Sequence, residues 1–364
     1  QRETWKREWN GTDVQQKAQS IEIPHHNICM PTEADRKRLR KTIRSFKHTT
    51  ATTFDNLKPH ILDELPDVAI DEIIILFRQI ENEGRWPKKW RHAIMVMIPK
   101  PKHGEWRLIA MLPALYRVWA KQAGKIVSSW MHSLNRHWIA FGPGKAAEDA
   151  AYEVALEMEG TTGTNDKWGA TIMSDLHKGF EKVVHHRLVT AARIYNFPMH
   201  ILRLALDMYT APRRIRCGAA VCKPVWTTMG VLAGCPIAMG ALCLAVLRPM
   251  DDLMREVPRH IVMLRVYVDD FTVTHTMDTK DGTMYDAAYQ LHDITNRLHE
   301  KLAEVELYCS KEKNQVLVNR PDPVLVLHSV VMILMHKLHL GKRGKFDPDK
   351  NSWHVSVSSL SAYF

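Results

Sequence analysis

Two adjacent aspartates, Asp269 and Asp270, are the residues of this sequence best suited to chemistry. Residues 261–268 alternate between two faces and residues 271–273 resume the alternation, which predicts two strands joined at the aspartates. A tight hairpin favours Asn-Gly or Asp-Gly, so a repelling carboxylate pair is a poor choice for stability and indicates function. Carboxylates at a rigid hairpin suit Mg²⁺, which takes oxygen ligands and often bridges to substrate phosphates. The sequence therefore predicts phosphoryl transfer.

A third carboxylate, Asp175, ends a predicted strand at residues 170–174 and precedes a predicted helix at residues 180–195. A two-metal site needs carboxylates from separate strands to hold its ions roughly 3.5 to 4 Å apart. The structural alternative is that Asp175 is the N-cap of the following helix. A second Asp-Asp pair, Asp251 and Asp252, falls in a predicted helix, so the dipeptide alone carries little weight.

Composition favours a nucleic-acid partner inside a cell. The 364 residues exceed one typical domain and carry a net charge of +10, which favours a polyanion. Six cysteines show no CxxC pair or zinc spacing, which indicates a reducing compartment inside a cell. The choice between nucleus and cytoplasm stays open. Cys217 and Cys222 are interpreted as incidental thiols rather than metal ligands. The start at Gln1, followed by polar sequence, predicts a fragment with no signal peptide.

An uncharged stretch at residues 229–247 approaches the length that crosses a bilayer. It contains Gly230, Gly234, Pro236 and Gly240, which favour a loop that enters a buried helix. We therefore expect no membrane partner.

Hydrophobic periodicity predicts the helices and strands around these residues. A helix at residues 34–47 places Leu39, Ile43 and Phe46 on one face and basic residues on the other, which is either solvated or a template contact. The other predicted helices lie at residues 67–83 and 287–303, and the other predicted strands at residues 94–98, 106–109, 315–318 and 324–335. The alternation predicts an α+β protein with an antiparallel sheet.

Four segments together resemble the reverse transcriptases, particularly those of non-LTR retrotransposons and group II introns. Residues 267–270, Tyr-Val-Asp-Asp, resemble the catalytic hairpin of that family, and residues 175–188 resemble its first catalytic motif. Residues 230–236 resemble the loop that supports template and incoming nucleotide, and residues 98–117 resemble the fingers segment. The matches follow the family order. The chain departs from the family pattern at Leu108, Glu181, Ala233 and Ala238, where the family has Pro, Asp, Gln and Ser.

The resemblance implies a role for each matched residue. It implies catalytic roles for Asp175, Asp269 and Asp270. Lys313, in the further segment 307–314, resembles the catalytic lysine of the family that assists pyrophosphate departure. The resemblance implies metal ligation by Asp175, Leu176, Asp269 and Asp270. It implies nucleotide binding by Lys100, Lys102, Arg107, Phe180 and Gly234, with Phe180 blocking a ribose 2′-hydroxyl. The alternatives are a core position for Phe180 and plain surface charges for the lysines and Arg107.

The resemblance also implies an α+β right-hand polymerase with fingers, a ferredoxin-like palm and a truncated or absent thumb. The expected parts are a basic arm at residues 1–45, fingers at 46–170, palm at 171–320, and primer-grip-like strands with the start of a thumb at 321–364. A strand pair near the primer is expected at residues 330–341.

The implied reaction is RNA-directed DNA synthesis from a primer 3′ end by two-metal phosphoryl transfer. Its cofactors are two Mg²⁺ ions, with Mn²⁺ as the alternative, and its partners are an RNA template, a DNA or RNA primer and deoxynucleoside triphosphates. Two other functions stay open on the sequence. One is an RNA-dependent RNA polymerase, and the other is a maturase-like RNA-binding module derived from a retroelement whose catalysis has lapsed.

Overall fold

The computed structural model describes residues 2–10, 21–22, 25, 27–100, 106–142, 144–162, 166–257, 262–310, 313–318, 344–347 and 352–356. The chain forms two compact units. Unit 1 comprises Gln1–Ser133 and Phe180–Ala245, and unit 2 comprises Leu134–Gly179 and Val246–Phe364. Each unit contains its own β-sheet, so the chain is a mixed α+β protein.

The secondary-structure elements are numbered in chain order. The helices are α1 Arg2–Trp9, α2 Glu33–Arg44, α3 Asp67–Glu83, α4 Ala114–Ser133, α5 Ala147–Thr162, α6 Gly179–Lys182, α7 His185–Ile194, α8 Met199–Tyr209, α9 Ala238–Glu256 and α10 Met284–Glu304. The strands are β1 Ala93–Pro99, β2 Trp106–Met111, β3 Lys167–Asp175, β4 Arg213–Cys217, β5 Ala220–Val221, β6 Val262–Tyr267, β7 Asp270–Asp278, β8 Gln315–Val318, β9 Gly344–Asp347 and β10 Ser352–Ser356. A 3-10 turn spans Pro59–Glu64.

The sheet of unit 1 has the order β2-β1-β4-β5. Strand β1 is antiparallel to β2 and parallel to β4. The predicted strands at residues 94–98 and 106–109 are therefore confirmed, and they pair with each other. Their register sets Ile98 opposite Arg107.

Helix α2 is the predicted basic amphipathic helix, and its apolar Leu39 and Ile43 are buried. Part of its basic face is occupied by ion pairs with neighbouring elements. Arg36, Arg40 and Arg44 form ion pairs with Asp71, Asp67 and Asp63 at 2.7, 2.6 and 2.7 Å. The expectation of a solvated face is wrong for Arg36 and Arg40, which are half-buried against acidic residues of α3, whereas Arg44 is exposed as that expectation requires.

Trp86 is the centre of an aromatic core in unit 1. Helix α3 ends as predicted at Glu83, and the Gly84 that follows has a left-handed φ of 65°. The Trp86 ring lies 5.0 Å from Tyr116 and 5.1 Å from Trp119 between centroids. Its backbone N–H donates to the buried Asp207 carboxylate at 2.8 Å, and burial raises the pKa of Asp207. A buried carboxylate thus fixes the turn after α3.

The sheet of unit 2 has the order β6-β7-β3-β8-β10-β9. Strand β3 is antiparallel to both β7 and β8, and β6 is antiparallel to β7. Helices α5 and α10 pack on this sheet. The predicted antiparallel sheet is confirmed. Strand β3, the first of its strands in the chain, lies between β7 and β8.

The predicted helix at residues 180–195 is wrong as one continuous helix. The chain instead forms α6 and α7, separated at Val183 and Val184. The Phe180 and Val183 carbonyls accept hydrogen bonds from Val231 N–H and Gly230 N–H, both at 2.7 Å. Because those carbonyls are used by another segment, they do not continue the helical ladder.

Residues 229–237 form a loop that leads into α9, as the glycines predicted. Gly230 and Gly234 have φ of 86° and 102°. None of the helices in the described part of the chain is long and apolar enough to cross a membrane. The predicted strands at residues 324–335 and 330–341 lie outside the described residues. Strands β9 and β10 extend the unit 2 sheet beyond β8.

Candidate active site

The three aspartates that the sequence singled out lie at one end of the unit 2 sheet. Asp175 at the end of β3 is the register partner of Asp270 at the start of β7. Tyr267 pairs with Asp270 across the hairpin, so Val268 and Asp269 form the turn. The Leu176 N–H donates to the Asp269 carbonyl at 2.9 Å. Backbone hydrogen bonding therefore brings together residues about ninety positions apart in the chain.

The hairpin turn contains backbone strain. Val268 has a φ of 60°, and a β-branched residue is a clear outlier in that left-handed region. Such a conformation costs about 1–2 kcal/mol and persists only where its surroundings impose it. The pairing of Tyr267 with Asp270 and the bond from Leu176 to Asp269 supply that constraint.

The segment after β3 is held from a second side. Ser310 N–H donates to the Asp175 carbonyl at 2.7 Å, and His177 N–H donates to the Tyr308 carbonyl at 2.8 Å. Helix α6 begins only at Gly179, so Asp175 is not its N-cap, and that alternative is wrong. The backbone of Asp175 is bonded to β7 on one side and to residues 308–310 on the other.

The carboxylates repel one another, and one ammonium opposes the repulsion. Desolvation, followed by the charges of Asp269 and Asp175, raises the pKa of Asp270 to about 6. Asp270 as a residue is exposed, and two like charges lie beside it, Asp175 across the strand pair and Asp269 in the turn. Lys313 donates a hydrogen bond to the Asp175 carboxylate and lowers the pKa of Asp270. Acidic oxygens therefore lie close together at this end of the sheet, where a bound cation would stabilise their charge.

The described residues predicted to bind nucleotide all lie in unit 1. Arg107 is an exposed residue of β2, and Lys100 follows β1. Ala110 N–H of β2 donates to the Ala233 carbonyl at 2.8 Å, and Phe180 accepts from Val231 at 2.7 Å. The glycine loop, residues 230–236, therefore binds both to the strand of Arg107 and to Phe180. Lys102 lies outside the described residues.

Gly234 is required by close approach as well as by its positive φ. A Cβ atom at this position would lie 2.8 Å from the Ala110 carbonyl oxygen. Two of the positions at which the chain departs from the family pattern are buried. Leu108 of β2 is 1% exposed and Ala238 at the start of α9 is 2% exposed. Both carry apolar side chains, as buried positions favour.

Two polar residues next to the glycine loop were not singled out from the sequence. The His185 ring Nε2 donates to the Gly230 carbonyl at 2.9 Å. The Arg213 guanidinium is buried, with Nη2 within 3.1–3.3 Å of the Tyr209, Met229 and Gly230 carbonyls. His185 lies within residues 175–188, the segment that resembles the first catalytic motif, which could have drawn attention to it. Nothing in the sequence marks Arg213.

Comparison with protein families agrees with the motifs. Residues 98–346 match the family described as reverse transcriptase (RNA-dependent DNA polymerase), which is more than half of the chain. The chain belongs to the reverse transcriptase family. A search of curated proteins finds no match to this sequence. The matched range of this reverse transcriptase domain contains all three aspartates and the glycine loop.

Reverse transcriptases generally use divalent metal ions. Among the residues that the structure describes, no group of three or more His, Cys, Asp or Glu side chains is arranged to hold a metal ion. The donor chemistry nevertheless fits Mg²⁺, because Asp175 and Asp270 are paired hard-oxygen donors and Lys313 already contacts one of them as a cation. Leu176 has an apolar side chain, so only its backbone carbonyl could contribute.

The contact between Lys313 and Asp175 predicts competition with a metal ion. We expect Lys313→Gln to bind Mn²⁺ about two- to fivefold more tightly, because an exposed ion pair is worth up to about 1 kcal/mol. Isothermal titration calorimetry without nucleic acid measures this. Lys280→Gln, in the turn that follows the opposite end of β7, carries the same charge change and should leave the affinity unaltered. Weaker binding by Lys313→Gln would contradict the competition.

His185 predicts a pH-dependent stability. Burial, opposed by its bond to Gly230, lowers the pKa of His185 to about 4 from 6.5. The unfolded state therefore binds a proton that the folded state does not, and stability is lost as pH falls below 6.5. Between pH 7 and pH 5 this linkage removes roughly 2 kcal/mol of the free energy of unfolding.

Urea denaturation at the two pH values checks this. His185→Gln should flatten the decline, whereas His186→Gln, at the next position and less buried, should keep it. An equal decline in wild type and His185→Gln would show that His185 is not its source.

Proposed function

We propose that this reverse transcriptase domain copies an RNA template by adding deoxynucleotides to a primer 3′ end. The observation that carries the proposal is the register of β3 with β7, which makes Asp175 and Asp270 neighbours while Asp269 occupies the turn. We propose further that it derives from a retroelement of the non-LTR or group II intron type, on the motifs quoted above.

Asp175, Asp269 and Asp270, with the Leu176 carbonyl, would hold two Mg²⁺ ions or Mn²⁺ in their place. When bound, such ions lower the pKa of a primer 3′-hydroxyl and neutralise charge on the leaving pyrophosphate. The paired backbones of β3 and β7 orient Asp175 and Asp270 before substrate arrives. Lys313 would leave Asp175 on metal binding, and its ammonium could then donate a proton to pyrophosphate.

The nucleotide-binding residues have separate proposed tasks. Lys100, Lys102 and Arg107 would bind the triphosphate, for which the planar guanidinium of arginine is suited. Phe180 would exclude a ribose 2′-hydroxyl. Gly234 would let the backbone of the glycine loop approach template and nucleotide closely.

The polymerase parts follow the same proposal, with a basic arm at residues 1–45, fingers at 46–170 and a palm at 171–320. A ferredoxin-like palm is supported by the strand order β6-β7-β3-β8. These four strands of the unit 2 sheet occur in the chain in the order β3, β6, β7, β8, with helices between β3 and β6 and between β7 and β8. Residues 321–364 would supply the primer-grip-like strands and the start of a thumb.

Primer extension on an RNA template tests the proposal. The wild-type chain should extend the primer with Mg²⁺ present, and the Asp269→Asn, Asp270→Asn double variant should show no detectable extension, because it loses the charge that binds the ions. The control is Asp252→Asn, Asp281→Asn, which makes the same charge change in α9 and in the turn after β7. Salt-sensitive RNA binding without extension by wild type would instead support the lapsed, maturase-like module.

The choice of sugar tests Phe180. On poly(rA) primed with oligo(dT), wild type should prefer dTTP to UTP, and Phe180→Ala should reduce that preference by at least about tenfold. Phe54→Ala, which removes an exposed phenylalanine of unit 1, is the matched control. A wild-type preference for UTP would favour an RNA-dependent RNA polymerase.

A further inference from the structure

The N-terminal helix α1 is joined to the approach to the glycine loop. Its last residue, Trp9, is fully buried, and its carbonyl accepts hydrogen bonds from Thr228 N–H at 3.1 Å and Met229 N–H at 3.3 Å. Glu8 forms an ion pair with Lys182 of α6 at 2.8 Å. An eight-residue helix is too short to be stable by itself, so these contacts keep α1 in place.

The Trp9 side chain faces a buried cation. The guanidinium carbon of Arg213 lies 4.8 Å from the centroid of the Trp9 ring. Arg213 is 1% exposed, and its Nη2 is near the carbonyls on which the glycine loop begins. Burial lowers the pKa of Arg213 to about 9, opposed by the charge of Glu181. A desolvated cation of this kind gains most from an aromatic face.

The start of the glycine loop has almost no freedom. Gly230 donates to the Val183 carbonyl, and its own carbonyl accepts from His185 and Arg213. A Cβ atom on Gly230 would lie 2.6 Å from the Glu181 carbonyl oxygen. A displacement of the Arg213 guanidinium would therefore disturb the hydrogen bonds that set this backbone.

We propose that Trp9 is a positioning residue of the polymerase site: its ring holds the Arg213 guanidinium against the carbonyls of Met229 and Gly230, and so fixes the glycine loop. The N-terminal helix is then part of the machinery that presents template and nucleotide. That the loop supports template and nucleotide rests on the proposed function. That Trp9 fixes the loop backbone does not depend on it.

The competing explanation is that Trp9 only fills space. Trp5 allows the two to be separated, because it is buried in the same helix with its ring centroid 5.7 Å from that of Trp9. Leucine at position 9 keeps an apolar side chain without a π face, and phenylalanine keeps the face. Trp9→Leu, Trp9→Phe and Trp5→Leu therefore form a matched set in the full chain.

Amide hydrogen exchange measures the loop without needing activity. We expect the Gly230 and Val231 amides to exchange about tenfold faster in Trp9→Leu than in Trp9→Phe. The amides of α8 should keep the wild-type rate in both. Trp5→Leu should leave the two loop amides as in Trp9→Phe. Equal loop exchange in Trp9→Leu and Trp9→Phe, or the same acceleration in Trp5→Leu, would overturn the proposal.

Steady-state primer extension connects the loop to catalysis. Trp9→Leu should raise the KM for the incoming deoxynucleotide more than it lowers kcat, because it disturbs support of the nucleotide and leaves the carboxylates intact. A loss confined to kcat would contradict a positioning role. If wild type has no polymerase activity, the proposed function fails, and hydrogen exchange alone decides whether Trp9 positions the loop.

Discussion

The antiparallel pairing of β3 with β7 is the constraint on which the candidate site depends. Side chains alternate between the two faces of a strand, so a slip of one residue would turn Asp175 away from its partner. The nine-residue ladder from Lys167 to Asp175 fixes that register along its whole length. Strand β8 holds the opposite edge of β3. The carboxylates therefore meet because backbone hydrogen bonds place them, against their own repulsion.

Several local features at this site are ones that stability alone would not favour. The raised pKa of Asp270, the left-handed Val268 and the contact of Lys313 with Asp175 all lie at one end of one sheet. Each is unfavourable or only weakly favourable by itself. Together they make this end of the sheet a candidate site for a cation, and reverse transcriptases generally use divalent metal ions.

In unit 1 the groups that need partners are backbone carbonyls rather than carboxylates. The glycine loop leaves carbonyl groups that helices and strands do not use, and buried carbonyls need donors. Arg213 and His185 supply them from β4 and α7. Because these donors are themselves buried, the loop geometry depends on side chains far from it in the chain, including Trp9 of α1.

The amino-acid sequence determined the elements with a clear period and the residues with a clear chemistry. The alternation around Asp269, the strand before Asp175 and the glycines before α9 are local patterns, and local patterns decide whether a segment is a strand, a loop or a helix. The family resemblance is also local, since each motif is a short run of residues.

Only the tertiary structure decided what depends on partners distant in the chain. The break between α6 and α7 arises because the glycine loop uses the Phe180 and Val183 carbonyls. The arginines of α2 pair with acids of α3 and the 3-10 turn, and no period in the sequence marks those partners. Arg213 looks like any basic residue of a strand until its burial under Trp9 is seen. Periodicity reports which face of an element is apolar, whereas the partner of a polar group is fixed only when separate elements pack together.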